Sequence, residues 1–265
     1  MIRRIVVTLV TIAAVTAIAC VDMSAPNGAA SISDLKLPSP SVVVGDTMRD
    51  SLGAVAPLNV FAYDAKSALI SGLSTVFFIT DTGAAAHLAK GSFIVGDKQG
   101  VVHITGQVSG IQTLPVLVPV TVAPTAFALA TSPVLPDTFR IPLTKPGDTT
   151  SASIGTQAIA VTLKGIGDTA SLGFVVTYQL VSAPPTVAGS TVPAVFIGAD
   201  ASKQSLVDTT DASGASRSVI VKTGLLLDPT KTDSVVVLIS ASYKGKPVPG
   251  SPIRVKLPVK LKLGL

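Results

Sequence analysis

The sequence predicts an all-β fold, with two β-sandwich domains in tandem after an N-terminal signal peptide. All 15 acidic residues are aspartate, so the chain lacks glutamate, which favours helices and commonly completes helix capping boxes. The chain has 22 Gly and 19 Pro and is rich in β-branched residues, a composition typical of short strands separated by turns. A length of 265 residues fits a short targeting segment followed by two domains.

The first segment, residues 1–19, has the organisation of a secretory signal peptide. Arg3 and Arg4 form a basic region, Ile5 to Ala19 is uncharged and apolar, and the small Ala19 directly precedes Cys20. We therefore expect this segment to be removed. The alternative is a retained N-terminal anchor helix, although the apolar stretch is shorter than the ~20 residues that a membrane span needs.

Cys20 is the only cysteine, so an intramolecular disulfide is excluded. The run Ala17-Ile18-Ala19-Cys20 resembles the lipobox of bacterial lipoproteins, although that family usually has Leu where this chain has Ala17. The resemblance implies that Cys20 becomes a lipid-modified N-terminus, and two or three acyl chains would hold the protein stably on a membrane. The alternative is ordinary cleavage that leaves Cys20 unmodified.

Residues 20–33 are small, polar and rich in turn formers, which predicts a flexible lipidated tether. The lipoprotein family often has Asp after the cysteine to mark inner-membrane retention, whereas this chain has Val21. The resemblance therefore favours the outer membrane or cell surface if the host has an outer membrane, and otherwise the outer face of the plasma membrane.

Residues 34–124 are predicted to form the first sandwich. Its strands are expected at Val42 to Val44, Leu58 to Tyr63, Thr75 to Thr80, Phe93 to Val95, Gly100 to Gln107 and Thr113 to Val122. The order of the runs Val42 to Thr47, Val60 to Lys66 and Gly100 to Gly106 resembles the group 2 bacterial Ig-like domains. The resemblance implies an Ig-like sandwich in which Asp64 opens a turn and Gly100 precedes a core strand.

Residues 126–265 are predicted to form a larger second sandwich. Alternation predicts three core stripes: Ile159, Val161 and Leu163; Phe174, Val176, Tyr178 and Leu180; and Val235, Val237, Ile239, Ala241 and Tyr243. Thr210 to Ser216 and the ending from Ser234 to Ile253 resemble the intimin and invasin type of bacterial Ig-like domain. The extra length lies in Val181 to Lys203, a long excursion between strands where binding could have been added.

The residues from which catalytic sites are built are scarce. The chain has two histidines and no tryptophan, and both His87 and His103 are predicted to lie at the surface or at its boundary. A Gly-x-Ser-x-Gly nucleophile motif is missing, and Gly165 to Gly173 lacks the third glycine of a dinucleotide loop, so it is predicted to be a turn. We therefore expect neither an enzyme nor a cofactor, and no small-molecule substrate.

Calcium is the ion that the sequence disfavours least, because several aspartates are expected on loops. These are Asp208, Asp211, Asp228 and Asp233. Their spacing lacks the alternating ligands of a calcium loop, and aspartate is an ordinary turn residue that bonds to its own backbone. The turn interpretation is preferred, and no metal site is predicted.

A basic stripe is predicted near the C-terminus. Residues 253–263 alternate, so that Arg254, Lys256, Lys260 and Lys262 lie on one face. Such a face could meet lipid headgroups or acidic polysaccharide. The simpler interpretation is an edge strand that its charges and a proline protect against pairing with other sheets.

These features predict a non-enzymatic cell-envelope lipoprotein that acts as a structural spacer or as an adhesion and interaction module. The expected partners are the membrane, through the lipid on Cys20, and a protein or an envelope polysaccharide. Without Arg3 and Arg4, 18 basic and 15 acidic residues leave a net charge of +3, too weak for a nucleic-acid footprint. The alternative is a carbohydrate-binding module, although the lack of tryptophan disfavours a stacking site.

Overall fold

The computed structural model describes residues 31–64, 66–132, 135–136, 138–142, 153–184, 195–200, 202–222 and 232–262. These residues form twenty strands and one turn of 3-10 helix, Ile166–Asp168, which confirms the predicted all-β fold. No helix in this part of the chain is long enough to cross a membrane. Residues 1–30 lie outside the described part, so the signal peptide and the lipid on Cys20 stay predictions.

The first ten strands form three sheets. They are β1 (Ser31–Lys36), β2 (Val42–Val43), β3 (Asn59–Tyr63), β4 (Leu69–Ile70), β5 (Thr75–Ile79), β6 (Ala86–Ala89), β7 (Phe93–Gly96), β8 (Gly100–Val108), β9 (Ile111–Gln112) and β10 (Val116–Thr121). The sheet orders are β1-β3-β4, then β2-β10-β8-β5 with β9 beside β8, and the hairpin β6-β7. β1 includes the last three residues of the predicted tether and pairs with β3.

These sheets enclose a common core. Val102, Ile104 and Val118 are fully buried on β8 and β10, and they form one cluster with Leu35 of β1 and Phe77 of β5. Alternate residues face inward because the side chains of a strand alternate between its two faces. The first half of the described chain is therefore a β-sandwich that is held by packing of mostly aliphatic side chains.

The second ten strands form two larger sheets. They are β11 (Ala126–Leu129), β12 (Phe139–Pro142), β13 (Ser153–Lys164), β14 (Val175–Ser182), β15 (Val195–Gly198), β16 (Val207–Thr209), β17 (Ala215–Lys222), β18 (Asp233–Tyr243), β19 (Lys246–Pro247) and β20 (Ile253–Lys262). The orders are β11-β13-β17-β15 and β12-β20-β18-β14-β16, with β19 beside β18. β12 and β20 pair in parallel, whereas β20 and β18 are antiparallel.

The predicted stripes of the second sandwich do form its core. Val161 of β13, Val176 of β14 and Val237 of β18 are fully buried in a single cluster to which both sheets contribute. Burial of one such side chain stabilises the fold by about 1.5–3 kcal/mol. Leu180 and Tyr243, at the ends of two stripes, are only partly buried against this cluster.

Turns form where the sequence places them. The backbone N–H groups of Lys66 and Ala68 both donate to the Asp64 carboxylate at 2.8 Å, so Asp64 closes the turn that precedes β4. Asp211 and Gly214 bridge a tight turn before β17. In the described residues, strands β1 to β10 pair among themselves, as do β11 to β20. The domain bounds 34–124 and 126–265 stay predictions.

Candidate functional site

A hydrogen-bonded cluster around Asp46 connects the two sandwiches. Asp46 follows β2, and Tyr243 ends β18, 197 positions further along the chain. The Tyr243 hydroxyl donates to Asp46 Oδ2 at 2.7 Å, and Lys244 Nζ lies 3.2 Å from the same oxygen. Arg49 donates from Nε to Oδ2 and from Nη2 to Oδ1, both at 2.9 Å. We call these four residues the joint cluster.

The joint cluster keeps Asp46 ionised. Its side chain is 11% exposed, and burial alone would raise the pKa of the carboxyl. Hydrogen bonds from Arg49, Tyr243, Lys244 and the Thr47 N–H outweigh that effect and hold the pKa of Asp46 well below its usual range. Burial, followed by the bond to Asp46, raises the pKa of Tyr243 above its ordinary value, so this hydroxyl remains a donor.

Further contacts support the joint cluster. Val43 of β2 is buried in the core cluster of the second sandwich. The Leu172 N–H donates to Thr121 Oγ1 at 2.9 Å, and the Thr125 N–H donates to the Lys164 carbonyl at 2.8 Å. Thr125, which lies between the two predicted domains, is therefore bonded to the second sandwich through its backbone.

Two glycines allow the sandwiches to approach each other closely. Gly173 has φ +73°, and a Cβ at this position would lie 2.4 Å from Ser41 Cβ. Gly53 has φ +87°, and a Cβ there would lie 2.2 Å from the backbone nitrogen of Gly245. Both positions combine a left-handed backbone with a contact that only glycine accommodates.

A cleft of about 530 Å³ lies along this joint. Both sandwiches line it, with Ser41, Asp46 and Met48 from the first and Phe174, Tyr243 and Lys244 from the second. Of the charged residues that line it, Asp46, Arg49 and Lys244 belong to the joint cluster, and Asp50 accepts hydrogen bonds from the backbone of its own turn. The arrangement is therefore suited to holding the two sandwiches in register.

Both histidines are paired with aspartates at the surface. His103, 44% exposed on its side chain, has Nδ1 2.9 Å from Asp81 Oδ1. The backbone N–H of His103 also donates to Asp81, and this bond lowers the pKa of the Asp81 carboxyl. His87 Nδ1 lies 2.9 Å from both carboxylate oxygens of Asp97. The surface position predicted for both histidines is confirmed.

The aspartates considered for calcium have other roles. Asp208 Oδ2 forms an ion pair with Arg217 Nη1 at 2.9 Å and accepts from the Ser216 N–H at 2.7 Å. Asp211 accepts from the Ser213 N–H at 2.7 Å within its turn, and Asp233 begins β18. Asp228 lies outside the described residues. Among the described residues, no group of three or more His, Cys or acidic side chains is placed to hold a metal.

The basic stripe lies on the outer face of β20. Arg254 and Lys256 are exposed and Lys260 is half-buried, while Val255, Leu257 and Val259 face the core. Only the backbone of Lys262 is described. Among the described strands, β20 pairs with β18 over residues 253–259 and with β12, on its other side, over residues 259–262. It is therefore open on one side over residues 253–258, as the edge-strand interpretation predicts, and β12 covers that side from residue 259.

The structure adds Arg140 to this stripe. Arg140 lies opposite Lys260 in the parallel pairing of β12 with β20, and it is exposed on the same face. Sequence reasoning missed it, although the alternation Phe139-Arg140-Ile141 was an available signal for a short strand. It also missed the joint cluster, because Gly45-Asp46 was predicted only as a turn and Tyr243 only as part of a core stripe.

Comparison with known proteins gives only distant structural similarity. No protein-family model and no curated protein matches the chain. The Yersinia pseudotuberculosis adhesin InvE is similar over 88% of this chain and 61% of its own length, with 15% identity and a TM-score of 0.36. Domains 4 and 5 of the S-layer protein SbsC are similar over 88% of this chain and all of that one, with 14% identity and a TM-score of 0.32. The D00-D0 domain of intimin is similar over 86% of this chain and 99% of that one, with 13% identity and a TM-score of 0.28. The fold assignment therefore rests on the sheets and cores described above.

Proposed function

We propose that this chain is a non-enzymatic, lipid-anchored protein of the bacterial cell envelope that acts as a stiff spacer or interaction module. The observation that carries the proposal is the joint cluster. A bidentate arginine, a lysine and a tyrosine hydroxyl converge on one nearly buried carboxylate across the two sandwiches. A hydrogen-bonded joint of this kind favours a fixed relative orientation, which a spacer needs and a freely jointed pair of domains lacks.

The anchoring part of the proposal comes from the sequence. An apolar segment ends at Ala19, Cys20 follows, and a polar stretch precedes β1, which begins at Ser31. Lipid on Cys20 would separate the first sandwich from the membrane by about ten residues. A flexible tether of that length has an end-to-end distance of roughly 20 Å. The sandwiches would then project a binding surface outward.

The non-enzymatic part of the proposal is supported by where the chemically competent groups lie. His87 and His103 each bond to an aspartate on an exposed strand face. Asp46, whose pKa is held well below its usual range, is already bonded to the other members of the joint cluster. Catalytic groups are expected to converge on one cleft and to be free to bond to a substrate. The groups named here are instead dispersed or already bonded to neighbouring residues.

The first experiment measures the mass of the mature N-terminal peptide of the wild type and of Cys20→Ser, with membrane fractionation of both. Lipid mass on Cys20 and loss of the variant from the membrane fraction are expected. An unmodified Cys20 in a soluble wild-type protein would refute the lipid anchor.

A second experiment tests the spacer. The Cys20→Ser chain is free of cysteine, so Lys98→Cys and Lys203→Cys place one spin label on an exposed position of each sandwich. A narrow distribution of label-to-label distances is expected, and Tyr243→Phe should broaden it. A distribution that is already broad in the parent protein would contradict a stiff spacer.

A further inference from the structure

The outer face of the second sandwich carries a concentrated positive charge. Arg254, Lys256 and Lys260 alternate along β20, and Arg140 of β12 lies opposite Lys260. Alternate residues of a strand are about 7 Å apart and paired strands about 5 Å apart, so the four cations follow a line of roughly 20 Å. We call these four residues the basic face.

The charges of the basic face have no ion-pair partner in the part of the chain that the structure describes. Elsewhere in the described residues Arg49, Lys164, Arg217 and Lys244 each lie within 4.0 Å of an aspartate. The four side chains of the basic face have no such partner among the described residues. The one aspartate of β18, Asp233, lies opposite Val259, which faces the core. Within the described part of the chain, the face therefore attracts anions without a neighbouring counter-charge.

The surroundings of the basic face favour a polymer over a lipid surface. Proteins that lie on membranes insert large apolar side chains beside their basic residues. On β18 the positions opposite Lys256 and Arg254 are Val236, which is buried, and Leu238, which is half-buried. Among the described residues of this sheet, the exposed large hydrophobic side chains lie on β14 and β16, on the far side of β18 from β20: Val175, Val181 and Val207. A line of cations with no exposed large apolar side chain described on its own strands matches an extended chain of repeated anionic groups.

We propose that the basic face binds a linear acidic polysaccharide whose carboxylates meet successive cations along β20 and Arg140. The proposal names a partner for the spacer or interaction module proposed above, and it rests on that proposed function. The contact itself depends only on the second sandwich. Its failure can therefore be told apart from failure of the lipid anchor.

The test measures binding of the full chain, solubilised in detergent, to polygalacturonate by biolayer interferometry over a range of salt concentrations. The test variant changes Arg140, Arg254, Lys256 and Lys260 to Gln. The control variant changes Lys66, Lys90, Lys98 and Lys203 to Gln, which removes the same charge from exposed positions elsewhere. Thermal unfolding confirms that both variants are folded. Arg140→Gln alone, which leaves β20 intact, serves as a second variant.

We expect the wild type to bind more weakly as salt rises, because salt screens exposed charges. The test variant should lose about tenfold or more in affinity and the control about twofold or less, since each exposed charge contributes modestly. Arg140→Gln should lose about two- to fivefold. Equal losses in both quadruple variants, or no binding by the wild type, would overturn the proposal. Tighter binding to phosphatidylglycerol vesicles or to duplex DNA than to polygalacturonate would also overturn it.

Discussion

Removal of the Tyr243 hydroxyl tests the joint cluster most directly. Tyr243→Phe keeps the ring and deletes the 2.7 Å hydrogen bond to Asp46. Hydrogen bonds to charged groups contribute about 1.5–3 kcal/mol, and Asp46 retains Arg49 and Lys244 after the change, so we expect a loss of about 1–2 kcal/mol in the free energy of unfolding. For a chain of this size each kcal/mol corresponds to about 2–4 °C in Tm.

The assay is urea unfolding followed by circular dichroism, combined with a double-mutant cycle between Tyr243→Phe and Asp46→Asn. A coupling free energy of about 1 kcal/mol is expected, because the two groups contact each other directly. Tyr63→Phe is the matched control, since the Tyr63 hydroxyl has no partner among the described residues. Equal effects of Tyr243→Phe and Tyr63→Phe, or strict additivity in the cycle, would refute the role of the joint cluster.

Three further predictions concern the same architecture. Tyr178→Phe should leave stability unchanged or raise it by up to about 1 kcal/mol, because the Tyr178 hydroxyl is buried without a partner among the described residues; clear destabilisation in urea unfolding would count against this. The pKa of Asp46 is lower in the folded than in the unfolded chain, whereas the pKa of Tyr243 is higher in the folded chain. The stabilisation by the joint cluster should therefore be lost as pH falls below about 4 and as pH rises above about 10. The free energy of unfolding, measured across pH, should show both losses. Asp46→Asn should abolish the loss at acidic pH. Gly173→Ala should cost about 1–3 kcal/mol more than Gly83→Ala, because both positions have positive φ but only Gly173 faces a neighbour at 2.4 Å; equal Tm shifts would contradict the close contact.

The fold could be predicted from the sequence where one face of a strand is buried. Val235, Val237 and Ile239 lie on one face of β18 because alternation has the same period as the strand, and burial of that face fixes its register. The shortest strands are harder to predict from alternation. β4 and β9 have two residues each, which is too short for a periodic pattern to appear.

The candidate sites could be predicted only in part, because they depend on contacts distant in sequence. Arg254, Lys256 and Lys260 share one strand, so alternation alone places them together. Arg140 joins them through a pairing between residues 120 positions apart, a register that local pattern does not encode. Asp46 and Tyr243 belong to different sandwiches and contact each other across the joint. The local sequence around each residue gives no sign of this contact.

The position of β20 has a consequence for the order in which the second sandwich can assemble. β20 joins β12 to β18, so β12, whose pairing among the described strands is with β20, depends on residues 120 positions further along the chain. Synthesis from the N-terminus makes residues 253–262 after the other described strands, so β12 gains its described partner late. β18 can pair with β14 before β20 is made, so the core stripe of β18 and Tyr243 do not depend on β20 alone. The first sandwich, whose described strands pair among themselves, can fold while the second is still being synthesised.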